Sequence, residues 1–350
     1  TNSKFNNFLG IGTFRGLNYS LDSGQSFSEF NLINNEFYNC GILEVSSLDV
    51  RKKQAAVKVE ITNNHFENSR LYFACTLLNF DNNRVIFNPD TFISFYANIP
   101  YSSGLITTWG GNGQNAAIYI SSLSDRVKIT NNYISGFQTL NAAISAGLYI
   151  DLQDTYRRKD GASAINFYYC QDFTISGNTM ENFQYGVYIA GTLSPSLAYQ
   201  TVGWRFNDNC IFMSRDASLS GDYATGLTVP PGCVADNNTI YVHHNNTYNW
   251  GLVPIGVSAN QTKLLGAICT NNTIFGKCGY PINVAPFDNS PYNCVVKNNF
   301  YMFGTIQTAA ISAANTYFSG NIKLEAATLP AYTAPETPAA RLIAENFSNY

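Results

Sequence analysis

Val59 to Phe66 reads VEITNNHF, and Val127 to Ile134 reads VKITNNYI. Aligned on its second Asn, the phrase fits the chain ten times, with anchors at Asn35, Asn64, Asn83, Asn132, Asn178, Asn209, Asn238, Asn272, Asn299 and Asn321. The position three before the anchor is apolar in every copy (Leu32, Ile61, Phe80, Ile129, Ile175, Phe206, Ala235, Cys269, Val296, Phe318), and the position five before fails only at Thr316. Between them stand Asn31, Glu60, Asn79, Lys128, Thr174 and Arg205 in the earlier copies. This alternation has period two, which marks a strand with one face inward and excludes a helix.

The anchors lie 29, 19, 49, 46, 31, 29, 34, 27 and 22 residues apart. If each of the two long intervals hides one degenerate copy, the repeat averages about 26 residues, the length of one coil of a β-solenoid. A leucine-rich repeat would show several Leu per copy on a fixed frame, and a propeller blade needs about 40 residues. The paired Asn then reads as a corner. A sharp turn between strands often needs a left-handed residue, which Asn tolerates better than any residue except Gly. Gly177 and Gly320 take the slot before the anchor in two copies. Stacked coils would set Asn above Asn, so that side-chain amides hydrogen-bond along the stack. The N-x-[ST] sequons at Asn237 and Asn271 follow from a turn rich in Asn and Thr.

Composition agrees with such a scaffold. The 350 residues include 43 Asn and 26 Gly, with 45% hydrophobic and only 12% charged residues. A net charge of -3 without a Lys/Arg-rich run offers no footprint for nucleic acid or an anionic membrane. No apolar stretch approaches the ~20 residues of a membrane helix, so no membrane insertion is expected. The eight Cys form no CxxC pair and no ordered spacing with the three His, so neither a metal site nor a cofactor is expected. Their apolar slots suit buried thiols, with disulfides an option for an extracellular protein. The coil domain is read as residues 1–325, and the Pro-containing segment 326–350 as an extended tail or cap for the last coil.

Individual function in a solenoid sits where the repeat is interrupted. Residues 143–165, AISAGLYIDLQDTYRRKDGASAI, hold the densest charge in the chain. Alternation in LYIDLQD sets Tyr149, Asp151 and Gln153 on one face and Ile150 and Leu152 inward, with Asp154 at the strand's end and Tyr156, Arg157 and Arg158 following. Carboxylates, a pair of Arg and aromatic faces suit sugar chemistry: acid and base, a cation for anionic substituents, and flat surfaces for pyranose rings. A solvated loop held by Asp–Arg pairs is the alternative. Glu181 comes roughly one coil after Asp151, and coils stacked ~4.8 Å apart would put carboxylates one or two coils apart within the range of a glycosidase pair. Asp216 and Asp222, with Tyr223 beside them, form a second candidate pair, set against the alternative of turn-forming Asp near Gly. Trp204 is expected in the core, while Trp109 and Trp250, read as loop residues, are free to stack on sugar.

On this repeat and its interruptions, from about Phe30 to Lys323, the chain resembles the right-handed parallel β-helices of the pectate-lyase-like superfamily, and within it the bacteriophage tailspikes. High Asn, Gly, Ser and Tyr with little charge adds to the likeness. The resemblance implies an all-β right-handed parallel β-helix assembled as a homotrimer. It also implies a place on the virion tail, held through an N-terminal part missing here, and action at the bacterial surface on capsular or O-antigen polysaccharide. The implied activity is endoglycosidase hydrolysis by paired carboxylates. A polysaccharide lyase using a Tyr, His or Lys base with Arg158, and a non-enzymatic adhesin, are the alternatives. The polygalacturonase signatures NTD, DD, GHG and RIK and the Arg-x-Pro-x-x-Arg arrangement of pectate lyases are absent. The catalytic candidates Asp151, Asp154, Glu181, Asp216 and Asp222, and the substrate-binding candidates Trp109, Tyr149, Tyr156, Arg157, Arg158 and Tyr223, therefore rest on the clusters alone.

Overall fold

The period-two alternation becomes strand structure at all ten anchors. The structure is a computed structural model that describes residues 2–6, 29–46, 58–75, 77–92, 116–121, 124, 126–137, 144, 146–151, 172–190, 203–214, 224–243, 249–255, 266–277, 279–284, 294–302, 306 and 316–324. Apart from one helical turn at residues 89–92, the regular elements among these residues are strands, gathered into a ten-stranded and a seventeen-stranded sheet. Residues 326–350, where the tail or cap is expected, lie outside the described residues.

Each phrase contributes one strand to the smaller sheet before its anchor and one to the larger sheet after it. Val127–Thr130 and Tyr133–Ser135 flank Asn132, and Thr174–Ser176 and Thr179–Glu181 flank Asn178. The strands that follow the anchors stack into one ladder of the larger sheet, called here the anchor ladder. A second ladder of that sheet runs through Ala116–Ser121, Ala146–Asp151, Tyr185–Ala190, Ala224–Val229, Asn249–Pro254 and Tyr280–Ile282. The long strands Glu36–Ser46 and His65–Ala74 take part in the anchor ladder, and His65–Ala74 also pairs with Ala116–Ser121 of the second. Coil after coil pairs in parallel, so the architecture is all-β with long parallel sheets, consistent with a β-solenoid.

The corner divides its work between the two residues of the pair. The first takes the left-handed conformation: Asn34, Asn63, Asn82, Asn131, Asp208, Asn237, Asn271 and Asn298 have φ between 51° and 58°, and Gly177 and Gly320 have φ of 67° and 65°. The second, the anchor, turns its amide into the stack. Its Oδ1 accepts the backbone N–H of the anchor one coil earlier at 2.8–3.1 Å, and that anchor's side-chain N–H at 2.9–3.2 Å. Its Nδ2 also donates to the carbonyl of the inward residue in the coil before, as Asn178 does to Ile129 and Asn209 to Ile175, both at 2.8 Å. From Asn35 to Asn321 nine such links run without a break.

This ladder corrects the expected coil count. Asn83 bonds directly to Asn132 at 2.8 Å, and Asn132 to Asn178 at 3.0 Å. Strand register agrees, with Phe80 opposite Ile129 and Ile129 opposite Ile175. Neither long interval hides a copy, so the 286 residues between Asn35 and Asn321 make nine steps of about 32 residues. The extra length is insertion, not coil.

Inward slots fill one continuous core. Val59, Ile61, Phe80, Ile129, Ile175, Phe206, Ala235, Cys269 and Val296 are fully buried there, as is Trp204, stacked on Phe173 at 4.3 Å. The six described cysteines are free thiols, and all but Cys210 are buried. In four strands of the second ladder a glycine interrupts the side-chain pattern, at Gly147, Gly186, Gly226 and Gly251. Leu148 and Ile150 enter the core while Ala146 and Tyr149 join a separate cluster, with Gly147 between them. Gly226 shows the reason: a Cβ there would sit 2.5 Å from both the Gly251 carbonyl oxygen and Ile240 Cγ2, so only glycine lets the two ladders approach.

Asn178→Ala removes one rung from the middle of the ladder and leaves the Asn132 N–H groups and the Ile129 carbonyl without their partner. At about 1–3 kcal/mol for each buried group left unpaired, a loss of roughly 3 kcal/mol or more is expected in denaturant unfolding. Asn321→Ala at the last rung should cost distinctly less. Equal costs at the two positions would show that the ladder does not stabilise through its links.

Candidate functional site

The second ladder carries a column of outward tyrosines. Tyr72, Tyr119 and Tyr149 are register partners in successive strands, and Tyr149 faces Tyr188 in the next. Their rings stack at 5.1, 5.2 and 5.4 Å with interplanar angles of 15°, 17° and 24°. Parallel in-register strands repeat the same side chain at about the thickness of a ring, so each stacked pair adds ~0.5–1.5 kcal/mol beyond burial. Tyr149, expected to meet substrate, is 2% exposed and lies in the middle of this stack, whereas Tyr72, Tyr185 and Tyr188 are half-buried. The irregular spacing of these tyrosines in the chain hides the column from any fixed-period search.

Asp151 ends the strand Ala146–Asp151 and is in register with Ser121 before it and Ala190 after it. The position one coil beyond Asp151 is thus Ala190. Glu181 belongs to the anchor ladder, where Ser135 precedes it and Phe212 follows. The expectation that Asp151 and Glu181 stack as coil neighbours is therefore corrected: one strand lies in each ladder. The side chain of Asp151 lies outside the described residues, as do Trp109, Asp154, Tyr156, Arg157, Arg158, Asp216, Asp222 and Tyr223. Asp216 stands four residues past Phe212, the register neighbour of Glu181. Trp250 is on the strand Asn249–Pro254 and half-buried, not in a loop.

Glu181 has an unusual setting. Met180 points into the core, so Glu181 points out, yet it is 5% exposed and is the one buried carboxylate among the described residues. Along its column the next coils carry Phe212, Tyr241 and Phe275, which with Met302 form a buried apolar cluster. On the other side lies the more polar half of the ladder. The Tyr133 hydroxyl donates to Glu181 Oε1, and the guanidinium of Arg84, the register partner of Tyr133, lies 5.1 Å from the centre of the Tyr133 ring. Tyr133 directly follows the anchor Asn132, and nothing in its local sequence marks it as a partner of Glu181.

Burial first, then the bond to Glu181 and the carboxylate's charge, push the Tyr133 hydroxyl up to about 12, against smaller opposing effects of Ser135 and Arg84. Tyr133 is thus a hydrogen-bond donor at any ordinary pH, and a poor candidate for the base of a lyase. Burial likewise raises the thiols of Cys75 and Cys294 to about 12. Among the described residues no group of three or more His, Cys, Asp or Glu is placed to hold a metal ion. No protein-family model matches the chain, and no curated protein matches it.

These raised values set a direction for alkaline stability. An acid whose neutral form the fold favours stabilises it below the unfolded pKa, and that contribution is lost as pH rises through the folded value. For Cys75 and Cys294 the window runs from 9.0 to about 12, and for Tyr133 from 10.0 to about 12. Urea midpoints should decline through that range, and Tyr133→Phe should flatten the decline above pH 10. Parallel curves for the two proteins would contradict the assignment.

Proposed function

We propose that the chain is the body of a tailspike-type depolymerase: a right-handed parallel β-helix, assembled as a homotrimer on a virion tail, that binds and hydrolyses a bacterial capsular or O-antigen polysaccharide. The observation that carries this reading is Glu181. A buried carboxylate without an ion pair among the described residues costs stability. Later coils place Phe212, Tyr241 and Phe275 in the same column, so an apolar side chain suits this position better. A group kept against the preference of its own scaffold is a functional candidate. The half-buried Tyr72, Tyr185 and Tyr188 of the neighbouring ladder support the reading with aromatic side chains of the kind that meet sugar rings.

Hydrolysis of a glycosidic bond needs two carboxyl groups, ~5–5.5 Å apart for retention or ~6.5–9.5 Å apart for inversion. Glu67 is in the column of Glu181 but three coils away, about 14 Å at the spacing of stacked strands. In this proposal the partner of Glu181 comes from Asp151, Asp154, Asp216 or Asp222, of which Asp216 follows most closely the strand paired with that of Glu181. One carboxyl group protonates the leaving oxygen, while the other attacks the anomeric carbon or activates water.

The test uses the full chain on a panel of capsular and O-antigen polysaccharides, following release of reducing ends. Glu181→Gln is expected to lower the rate by about 10²–10⁴-fold. Undiminished cleavage by this variant would remove Glu181 from the mechanism. Products carrying an unsaturated, ultraviolet-absorbing sugar would point to a lyase, and intact polymer throughout to an adhesin.

A second outcome follows from the cost of Glu181. The double variant Glu181→Met with Tyr133→Phe removes both polar partners together and extends the apolar column. It should be more stable than the wild type by about 1–2 kcal/mol in denaturant unfolding while losing cleavage. A less stable double variant would mean that the pair serves the fold.

A further inference from the structure

Three coils contribute to the surroundings of Glu181. Arg84 comes from the strand Arg84–Ile86, Tyr133 and Ser135 from Tyr133–Ser135, and Glu181 from Thr179–Glu181, stacked in register in that order. Ser135 is buried beside Glu181 as its register partner, and it opposes part of the upward shift of the Tyr133 hydroxyl. Arg84, exposed, lies against the Tyr133 ring. The tyrosine is therefore held at its ring by a cation, and its O–H donates to one oxygen of the carboxylate.

A glutamate has three rotatable side-chain bonds, and the apolar Phe212 on the following coil gives it no hydrogen-bond donor from its side chain. Left alone, the carboxylate would sample several rotamers. A donor whose ring is held by Arg84 selects one of them, and parallel in-register strands keep the side chains at constant spacing. Misplacing a reacting group by about 1 Å costs on the order of 10²-fold in rate, so this selection has chemical consequence.

We infer that Tyr133 is a positioning residue that holds the Glu181 carboxylate in its working orientation through its hydroxyl, with Arg84 against its ring. The inference rests on the proposal that Glu181 acts on the polysaccharide. It assigns no contact with substrate to Tyr133.

Two measurements separate the positioning role from the catalytic one. In the first, tyrosine ring-carbon signals are followed by NMR from pH 8 to 12 in the wild type and in Glu181→Gln. The Tyr133 signal is expected to stay protonated until about 12 in the wild type and to titrate lower once the carboxylate charge is gone. Titration near 10 in the wild type, or no change in the variant, would overturn the clamp whatever the activity, and this measurement needs no variant of Tyr133. In the second, Tyr133→Phe is assayed on the polysaccharide that the wild type cleaves. The expected result is a kcat about 10²-fold lower with KM within about twofold and an altered pH–rate profile. An unchanged kcat and profile beside an inactive Glu181→Gln overturns positioning alone. A fully active Glu181→Gln overturns the catalytic reading of Glu181, and the positioning role goes with it.

Discussion

The asparagine amide at each corner is the interaction on which every other feature of this chain depends. Its side chain offers one oxygen that accepts twice and one nitrogen that donates twice, and the ladder uses all four bonds. The oxygen takes a backbone and a side-chain N–H from the preceding anchor. The nitrogen gives one hydrogen to the following anchor and the other to an inward carbonyl of the preceding coil, as at Asn178. Aspartate supplies no donor and would stack like charges ~4.8 Å apart; serine supplies too few bonds. A buried turn would otherwise leave backbone groups unpaired. The amide satisfies them and also fixes the step from coil to coil.

With the corner settled, the faces on either side are free to differ. Inward positions are apolar in every coil before the last, because each must meet the same core; the last coil carries Thr316 and Lys323 there. Outward positions change along the stack. The column through Tyr38, Glu67, Ile86, Ser135 and Glu181 gives way to Phe212, Tyr241, Phe275 and Met302. Glu181 stands at that boundary, with a polar network on one side and aromatic surface on the other. In the second ladder the same parallel register turns separate tyrosines into one stack. One rule of stacking yields either a rigid aromatic column or a held carboxylate, according to which side chains it aligns.

How much of this could be read from residues alone depends on whether the physical cause has a period. The inward slots and the ten anchors have one, and Ile61, Ile129 and Phe206 are where the alternation puts them. The pair NN showed that a turn was needed, but not that Asn131 bends the chain while Asn132 bonds along it. Those roles differ only in φ and burial. Insertions broke the inference at longer range. The 49- and 46-residue intervals looked like two coils because length alone cannot tell a coil from a loop. Asp151 and Glu181 looked stacked because a separation of about one coil says nothing of which ladder each strand joins. Trp250 looked like a loop residue because the strand that carries it has no anchor phrase.

A solenoid's stability is close to a sum of nearest-neighbour terms, so an unfavourable choice in one coil is offset by its neighbours without altering the rest. That property explains how Glu181 is tolerated. The coils on both sides retain their anchor links at Asn132, Asn178 and Asn209 and their inward residues Ile134, Met180 and Ile211. The cost of burying a carboxylate stays local, reduced by a single tyrosine hydroxyl. A globular core, where each side chain touches many others, would spread the same disturbance through the fold. The repeated amide thus does more than turn the chain: by confining each coil's energetics to its neighbours, it leaves single outward positions open to residues such as Glu181 that pack less well than an apolar side chain.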